Sequence, residues 1–129
     1  MKNLDSLCAQ YGYAIVHDVA PNGNLSKSDK SKLENTVTKS LGVLQENGVY
    51  AFFLYLDYRK EEKGAPQIRD RSLELLRHGE IDLLQNSNDH FVDVQQLTND
   101  LDQLLLARQL LEQMLIYARY HAKALRVTS

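Results

Sequence analysis

The stretch LDQLLLARQLLEQMLIYARYHAKAL, residues 101–125, carries the strongest periodic signal in the chain. Neither glycine nor proline occurs after Gly79, so no helix breaker interrupts it. Apolar side chains recur at alternating steps of three and four residues, interrupted only at Arg108, as expected for one face of an α-helix. They are Leu101, Leu104, Leu111, Leu115, Ala118, Ala122 and Leu125. The spacing predicts a long closing helix that begins near Thr98 or Asn99.

The predicted closing helix is apolar on more than one face. Leu106, Leu110, Tyr117 and Tyr120 add apolar bulk on the side away from the main stripe. A helix that is apolar nearly all round is either the central member of a bundle or is covered on its second face by another chain. The sequence leaves both arrangements open.

Two helices are predicted at the start of the chain. The first runs from about Asn3 to Ala20 and is stopped by the turn residues 21–24, PNGN. The second begins near Ser26 or Ser28 and ends at the Asn-Gly pair 47–48. Ser31 and Glu34 are three residues apart, the spacing of a capping box near the start of this second helix.

The segment from Val49 to about Lys63 begins with the apolar run VYAFFLYL. A buried strand would show the same composition, but no other segment offers it a partner, so a helix buried on most sides is favoured. Pro66 then starts another helix that continues to the pair His78-Gly79. A short helical piece over residues 81–84 and a polar loop over 86–89 follow.

The whole chain is therefore predicted to be all-α: a compact bundle of about five to six helices with a long C-terminal helix, in one domain over residues 1–129. Its length of 129 residues suits a single domain. Its composition, 43% hydrophobic and 25% charged, is that of an ordinary globular protein with a buried core.

Charge and cysteine content restrict the class of protein. Lys and Arg number 15 against 17 Asp and Glu, a net charge of −2, which argues against a free-standing nucleic-acid-binding domain. Cys8 is the only cysteine, so no intramolecular disulfide is possible and a cytoplasmic location is expected. The longest apolar run, Val49–Leu56, falls short of the roughly 18 residues of a membrane span, so we expect no membrane contact.

The sequence offers little catalytic chemistry. Its four histidines, His17, His78, His90 and His121, lie in different segments without the His-Glu-x-x-His spacing of a zinc site. No arginine precedes a histidine by five residues, a spacing found in some small helical ribonucleases, and no two glycines form a phosphate-binding loop. We therefore expect no enzymatic activity, no cofactor and no metal.

Basic residues are grouped in two places. Arg119, Lys123 and Arg126 follow one another at spacings of four and three, so they share one face near the end of the closing helix. They could contact phosphates, or they could simply complement the helix dipole. A second group, Lys27, Lys30, Lys32 and Lys39, lies along the second helix, where solvated lysines explain it equally well.

The layout also resembles a known family. The features that carry the resemblance are an N-terminal helix over Leu7–Val19, the sequence LGVLQENGVYAFFL at 41–54, the Leu-Thr pair at 97–98, and LIYARYHAKAL at 115–125. In this order they resemble the small helical subunit, the fifth protein, of the Cmr complex of type III-B CRISPR–Cas RNA-targeting systems. A related type III small subunit, such as that of Csm complexes, is left open because the family's tryptophan before the basic residue of the last helix is missing.

This resemblance implies a non-catalytic structural subunit in antiviral defence. Such subunits stack on one another along the backbone subunits that hold the guide RNA, line the channel for the target RNA and touch the large subunit. Candidate contacts to the RNA backbone or to partner subunits are then Arg119, Lys123, Arg126, Lys32 and Lys39. The alternative is an unrelated helical adaptor for protein–protein interaction.

Overall fold

The computed structural model describes residues 3–127, which form six α-helices and no strand. The helices are α1 (Leu4–Val19), α2 (Lys27–Asn47), α3 (Val49–Tyr58), α4 (Ala65–Arg77), α5 (His90–Leu97) and α6 (Leu101–Val127). The predicted all-α bundle with a long closing helix is therefore confirmed. No helix in this part of the chain is both long enough and apolar enough to span a bilayer.

Side-chain caps explain where several helices begin. Asn3 Oδ1 accepts a hydrogen bond from the Ser6 amide at 3.1 Å at the start of α1. Ser26 Oγ accepts one from the Asp29 amide at 3.0 Å at the start of α2. Each bond satisfies a backbone N–H that has no partner within its helix. The predicted capping box is wrong, because Ser31 lies inside α2, one turn beyond the cap that Ser26 supplies.

The aromatic run after Gly48 is a helix, as predicted. Gly48 has φ 93°, a conformation that ends α2 without strain and lets α3 start at the next residue. Phe52, Phe53 and Leu56 are fully buried. The helix ends at Tyr58 rather than near Lys63, and turns connect it to α4.

Predictions for residues 78–100 were less accurate. Residues 81–84 form no helix; instead the amides of Leu83 and Leu84 donate to the Leu76 carbonyl and fold this segment back on α4. Residues 90–97 form the separate helix α5, which was not predicted. The closing helix begins at Leu101 rather than Thr98 or Asn99, because Asp100 Oδ1 accepts the Gln103 amide at its start.

Helix α6 is the centre of the bundle, and α1 and α2 pack along it. Cys8 of α1 lies against the Leu110 carbonyl, and Gly12 lies against residues 114–118, so α1 and α6 run parallel. Arg108 bonds to Gln45 and Arg126 to Glu34, so α2 runs antiparallel to α6. The C-terminal ends of α1 and α6 therefore lie at the same end of the molecule.

Burial along α6 follows the predicted stripe only from its second turn onward. Leu111, Leu115, Ala118 and Ala122 are completely buried, and Leu110 is also buried within this chain. The prediction is wrong at the start of the stripe, where Leu101 is 67% exposed.

Candidate functional site

The predicted basic face of α6, here called the basic stripe, consists of Arg119, Lys123 and Arg126. Lys123 is exposed, and Arg119 is half-buried with its Nε shielded from solvent and without a hydrogen-bond partner among residues 3–127. Arg126 Nε lies 2.8 Å from Glu34 Oε1 of α2. This ion pair neutralises one charge of the stripe, so two of its three positive charges remain for an outside partner.

Arg108 lies further along the same α2-facing side of α6. Its guanidinium donates to the Gln45 carbonyl in the last turn of α2 and to Glu112 Oε1 at 3.1 Å. Sequence reasoning registered Arg108 only as a break in the apolar stripe. Its structural role is to satisfy a carbonyl at the C-terminal end of a neighbouring helix, where a cation is favoured.

The second predicted group of lysines does not join the basic stripe. Lys32 and Lys39 are exposed and lie about 140–160° round α2 from Glu34, given 100° per residue. They line a polar groove of about 270 Å³ between α2 and residues 61–63, where Glu61 and Glu62 partly offset their charge. Lys30, also placed on this face by the sequence, is only 6% exposed.

The first turns of α6 carry apolar side chains that the rest of the described chain covers only in part. Leu101, Leu105 and Leu106 are 67%, 48% and 38% exposed. Because Arg108 bonds to Gln45, two residues before the end of α2, these turns extend roughly 8 Å beyond that helix at 1.5 Å per residue. We call these three residues the leucine end.

A hollow that sequence reasoning missed lies where α1 and α6 end side by side. Tyr13 stacks on His17 with ring centroids 5.5 Å apart, and meets His121 of α6 edge-on at 5.4 Å. These rings border a cavity of about 280 Å³. The rest of its lining is apolar or small: Val16, Ala20, Pro21, Gly23, Ala124 and Leu125. We call it the aromatic hollow.

Only the packing of α1 on α6 brings this hollow together. His17 and His121 are more than 100 residues apart in the sequence, in different segments and without the spacing of a shared metal site. The one available signal was local: Tyr13 and His17 are four residues apart, so they share a face of α1.

The remaining reactive side chains are dispersed. His78 lies edge-on to Tyr11 at 6.4 Å, and His90 packs on Phe91 at 4.3 Å. Burial, together with the nearby charge of Asp5, raises the pKa of the Cys8 thiol to about 11, so it is protonated at neutral pH and is a poor nucleophile. Within residues 3–127 no three His, Cys, Asp or Glu side chains are grouped to hold a metal ion.

Comparison with known proteins identified no relative. No family model matches the chain, and neither the curated proteins nor the solved structures contain a match.

Proposed function

We propose that this chain is a non-catalytic structural small subunit of a type III CRISPR–Cas ribonucleoprotein effector complex. In this role it stacks along the backbone subunits and helps to hold guide and target RNA in antiviral defence. The order and spacing of its sequence features support the proposal, as does an all-helical bundle built round a long closing helix. The observation that carries it is the leucine end, an apolar helix terminus that the described chain leaves partly exposed.

The size of the leucine end suits a subunit that is held by several partners at once. Fully burying an exposed leucine contributes about 1.5–3 kcal/mol, so covering three half-exposed leucines contributes about 3 kcal/mol. A millimolar dissociation constant already requires about 4 kcal/mol. The leucine end alone therefore supports only weak association, which becomes stable when further contacts within an assembly add to it.

The basic stripe and the lysines of α2 fit contacts with the RNA backbone in such an assembly. Lys123 and Arg119 have no acidic partner among the described residues, whereas Arg126 is tied to Glu34. Contacts of this kind act on phosphates and are independent of base sequence, because base pairing with the guide supplies specificity. With a net charge of −2, the isolated protein is expected to bind free RNA weakly.

Co-purification tests the proposal directly. The tagged chain is co-expressed with the proteins encoded beside its gene, and we expect recovery of RNA-binding backbone subunits together with guide RNA. The double variant Leu101→Lys and Leu105→Lys should lose most of this recovery, because lysines disrupt an apolar contact. Tyr58→Lys is the matched control, since Tyr58 is 76% exposed on α3, away from the leucine end.

Two outcomes would contradict the proposal. A gene with no neighbouring backbone subunits and no CRISPR array would favour the unrelated adaptor instead. Equal recovery with the double leucine variant and the Tyr58 control would show that the leucine end is not an interface.

A separate measurement tests the absence of catalysis. We expect the isolated protein not to cleave RNA. Cleavage by the wild type that is lost in His121→Ala or His78→Ala would identify a ribonuclease and refute the proposed role.

A further inference from the structure

The aromatic hollow has properties that the proposed structural role does not require. Tyr13 is 53% exposed although it is in contact with two imidazole rings. Neither His17 nor His121 has a hydrogen-bond partner among residues 3–127, so their ring nitrogens are open to a ligand. A planar ligand could stack on the rings and form hydrogen bonds at the same site.

The lining indicates the charge of the ligand. No aspartate, glutamate, lysine or arginine borders the hollow. The α1 and α6 helices both end beside it, and helix C-termini carry partial negative charge that disfavours an anion. The basic stripe lies on the α2-facing side of α6, whereas the hollow lies on the α1-facing side. A phosphate is therefore a poor ligand for the hollow, and an uncharged flat group is a good one.

The size of the hollow further restricts the ligand that it can hold. Its volume of about 280 Å³ is at the lower limit of ligand pockets, which measure roughly 300–1,000 Å³. One wall is apolar, formed in part by the buried residues Val16 and Ala20. Unpaired bases are recognised in proteins by stacking on tyrosine or histidine and by hydrogen bonds to the base edge.

We propose that the aromatic hollow binds a single nucleobase, stacked on the face of the Tyr13 ring that His17 leaves free, with His121 at its edge. The base belongs either to a free nucleoside or to an unpaired position of single-stranded RNA. The inference comes from the lining of the hollow and holds whether or not the chain is a CRISPR subunit.

Fluorescence of 2-aminopurine, which is quenched when the base stacks, tests the inference on the isolated full-length protein. One titration uses 2-aminopurine riboside, and the other uses a short single-stranded RNA with one 2-aminopurine. Quenching of both probes identifies a site that binds a free nucleoside. Quenching of the RNA probe alone identifies a site for a base within a strand. Either result supports the inference.

Substitutions of single tyrosines test whether the quenched probe is bound in the aromatic hollow. Tyr13→Ala should weaken binding about tenfold, in line with the effect of removing one stacking partner. Tyr13→Phe should retain most of the binding, because it keeps the ring. Tyr58→Ala removes another exposed tyrosine and should change nothing. Circular dichroism of each variant confirms that the helices are intact.

The inference is overturned if millimolar wild-type protein quenches neither probe, or if Tyr13→Ala quenches as well as wild type. Loss of partner proteins from the Tyr13→Ala co-purification, without quenching of either probe, would assign the hollow to a protein segment instead. Co-purification of the wild type without any quenching would leave the proposed subunit role intact and remove only the nucleobase site.

Discussion

Gly12 shows how a single residue sets the distance between the two parallel helices α1 and α6. A Cβ atom at this position would lie 2.7 Å from the Met114 carbonyl oxygen and 2.8 Å from the Tyr117 Cβ. These neighbours are backbone or directly attached to it, so they cannot move aside independently of α6. The absence of a side chain at Gly12 therefore allows the approach that also brings Tyr13 to His121.

We expect Gly12→Ala to lower the free energy of unfolding by about 1–3 kcal/mol, as overpacking of a close helix contact does. Gly42→Ala is the matched control. Gly42 also lies inside a helix, but nothing is within 4 Å of a Cβ built there, so alanine should stabilise by up to about 1 kcal/mol. Urea denaturation of both variants measures the difference. Equal effects of the two substitutions would show that α1 and α6 are not in close contact at Gly12.

At the scale of elements, one carboxylate holds the irregular segment 78–89 between α4 and α5. Asp93 of α5 is 1% exposed, and its Oδ2 accepts hydrogen bonds from Arg77 Nη2 at 2.9 Å and the Ser87 amide at 3.0 Å. Arg77 Nε also donates to the Gln85 carbonyl at 2.9 Å. Burial by itself would raise the pKa of Asp93, but the hydrogen bonds from Ser87 and Arg77 outweigh it and hold this pKa below its ordinary value.

The lowered pKa gives a stability prediction with a defined direction. A carboxyl group whose pKa is lower in the folded state stabilises that state above the unfolded pKa of about 3.9, and the effect is lost as the pH falls through the folded-state pKa. Asp93→Asn should therefore lower the free energy of unfolding by about 1–3 kcal/mol at pH 7, and by progressively less below about pH 4.

Urea denaturation between pH 3 and pH 7 tests this, with Asp57→Asn as the control at an exposed carboxylate of α3. A difference between wild type and Asp93→Asn that stays constant with pH would mean that the pKa of Asp93 is the same in the folded and unfolded states, contrary to the lowered value.

At the scale of the whole molecule, the net charge is only −2, but acidic and basic residues are distributed unevenly along α6. Asp100 and Asp102 lie beside the leucine end, whereas the basic stripe occupies the last turns, at the opposite end of a helix of 27 residues. At 1.5 Å per residue these ends are about 40 Å apart. Charges that far apart are screened from each other at physiological salt, so each end presents its own potential to a partner.

This distribution predicts how RNA retention depends on salt. Replacing Arg119, Lys123 and Arg126 with alanine should weaken RNA retention by the assembled complex and reduce its salt dependence. Because Glu34 already neutralises Arg126, we expect the loss of about two phosphate contacts, or a change of roughly 1–2 in the slope of log affinity against log salt. Filter binding across a salt series measures this slope.

A triple alanine variant at Arg59, Lys60 and Arg69, none of which lines the lysine groove of α2, removes the same charge elsewhere and serves as the control. If the two triple variants give the same slope of log affinity against log salt, the basic stripe only complements the helix dipole at the C-terminal end of α6.

Several features of the fold were predictable because their causes are local. The helical period of residues 101–125, the Asn-Gly stop at 47–48 and the turn at 21–24 each depend on neighbours within a few residues. The short helix α5 was missed because its eight residues give too little periodicity to separate it from the helix that follows. The spacing of the candidate cations along α6 is visible in the sequence, but the pairing of Arg126 with Glu34 joins two helices and leaves no local pattern.

The sequence by itself determined that this protein is helical, where most of its helices lie and that the last one is the longest, since propensity, breakers and caps act over one or two turns. Only the tertiary structure decided which face of each helix has a partner. The leucine end is exposed because α2 stops short of it, and the aromatic hollow exists because α1 and α6 run parallel. Both depend on the lengths and directions of helices far apart in the chain, which no local pattern encodes.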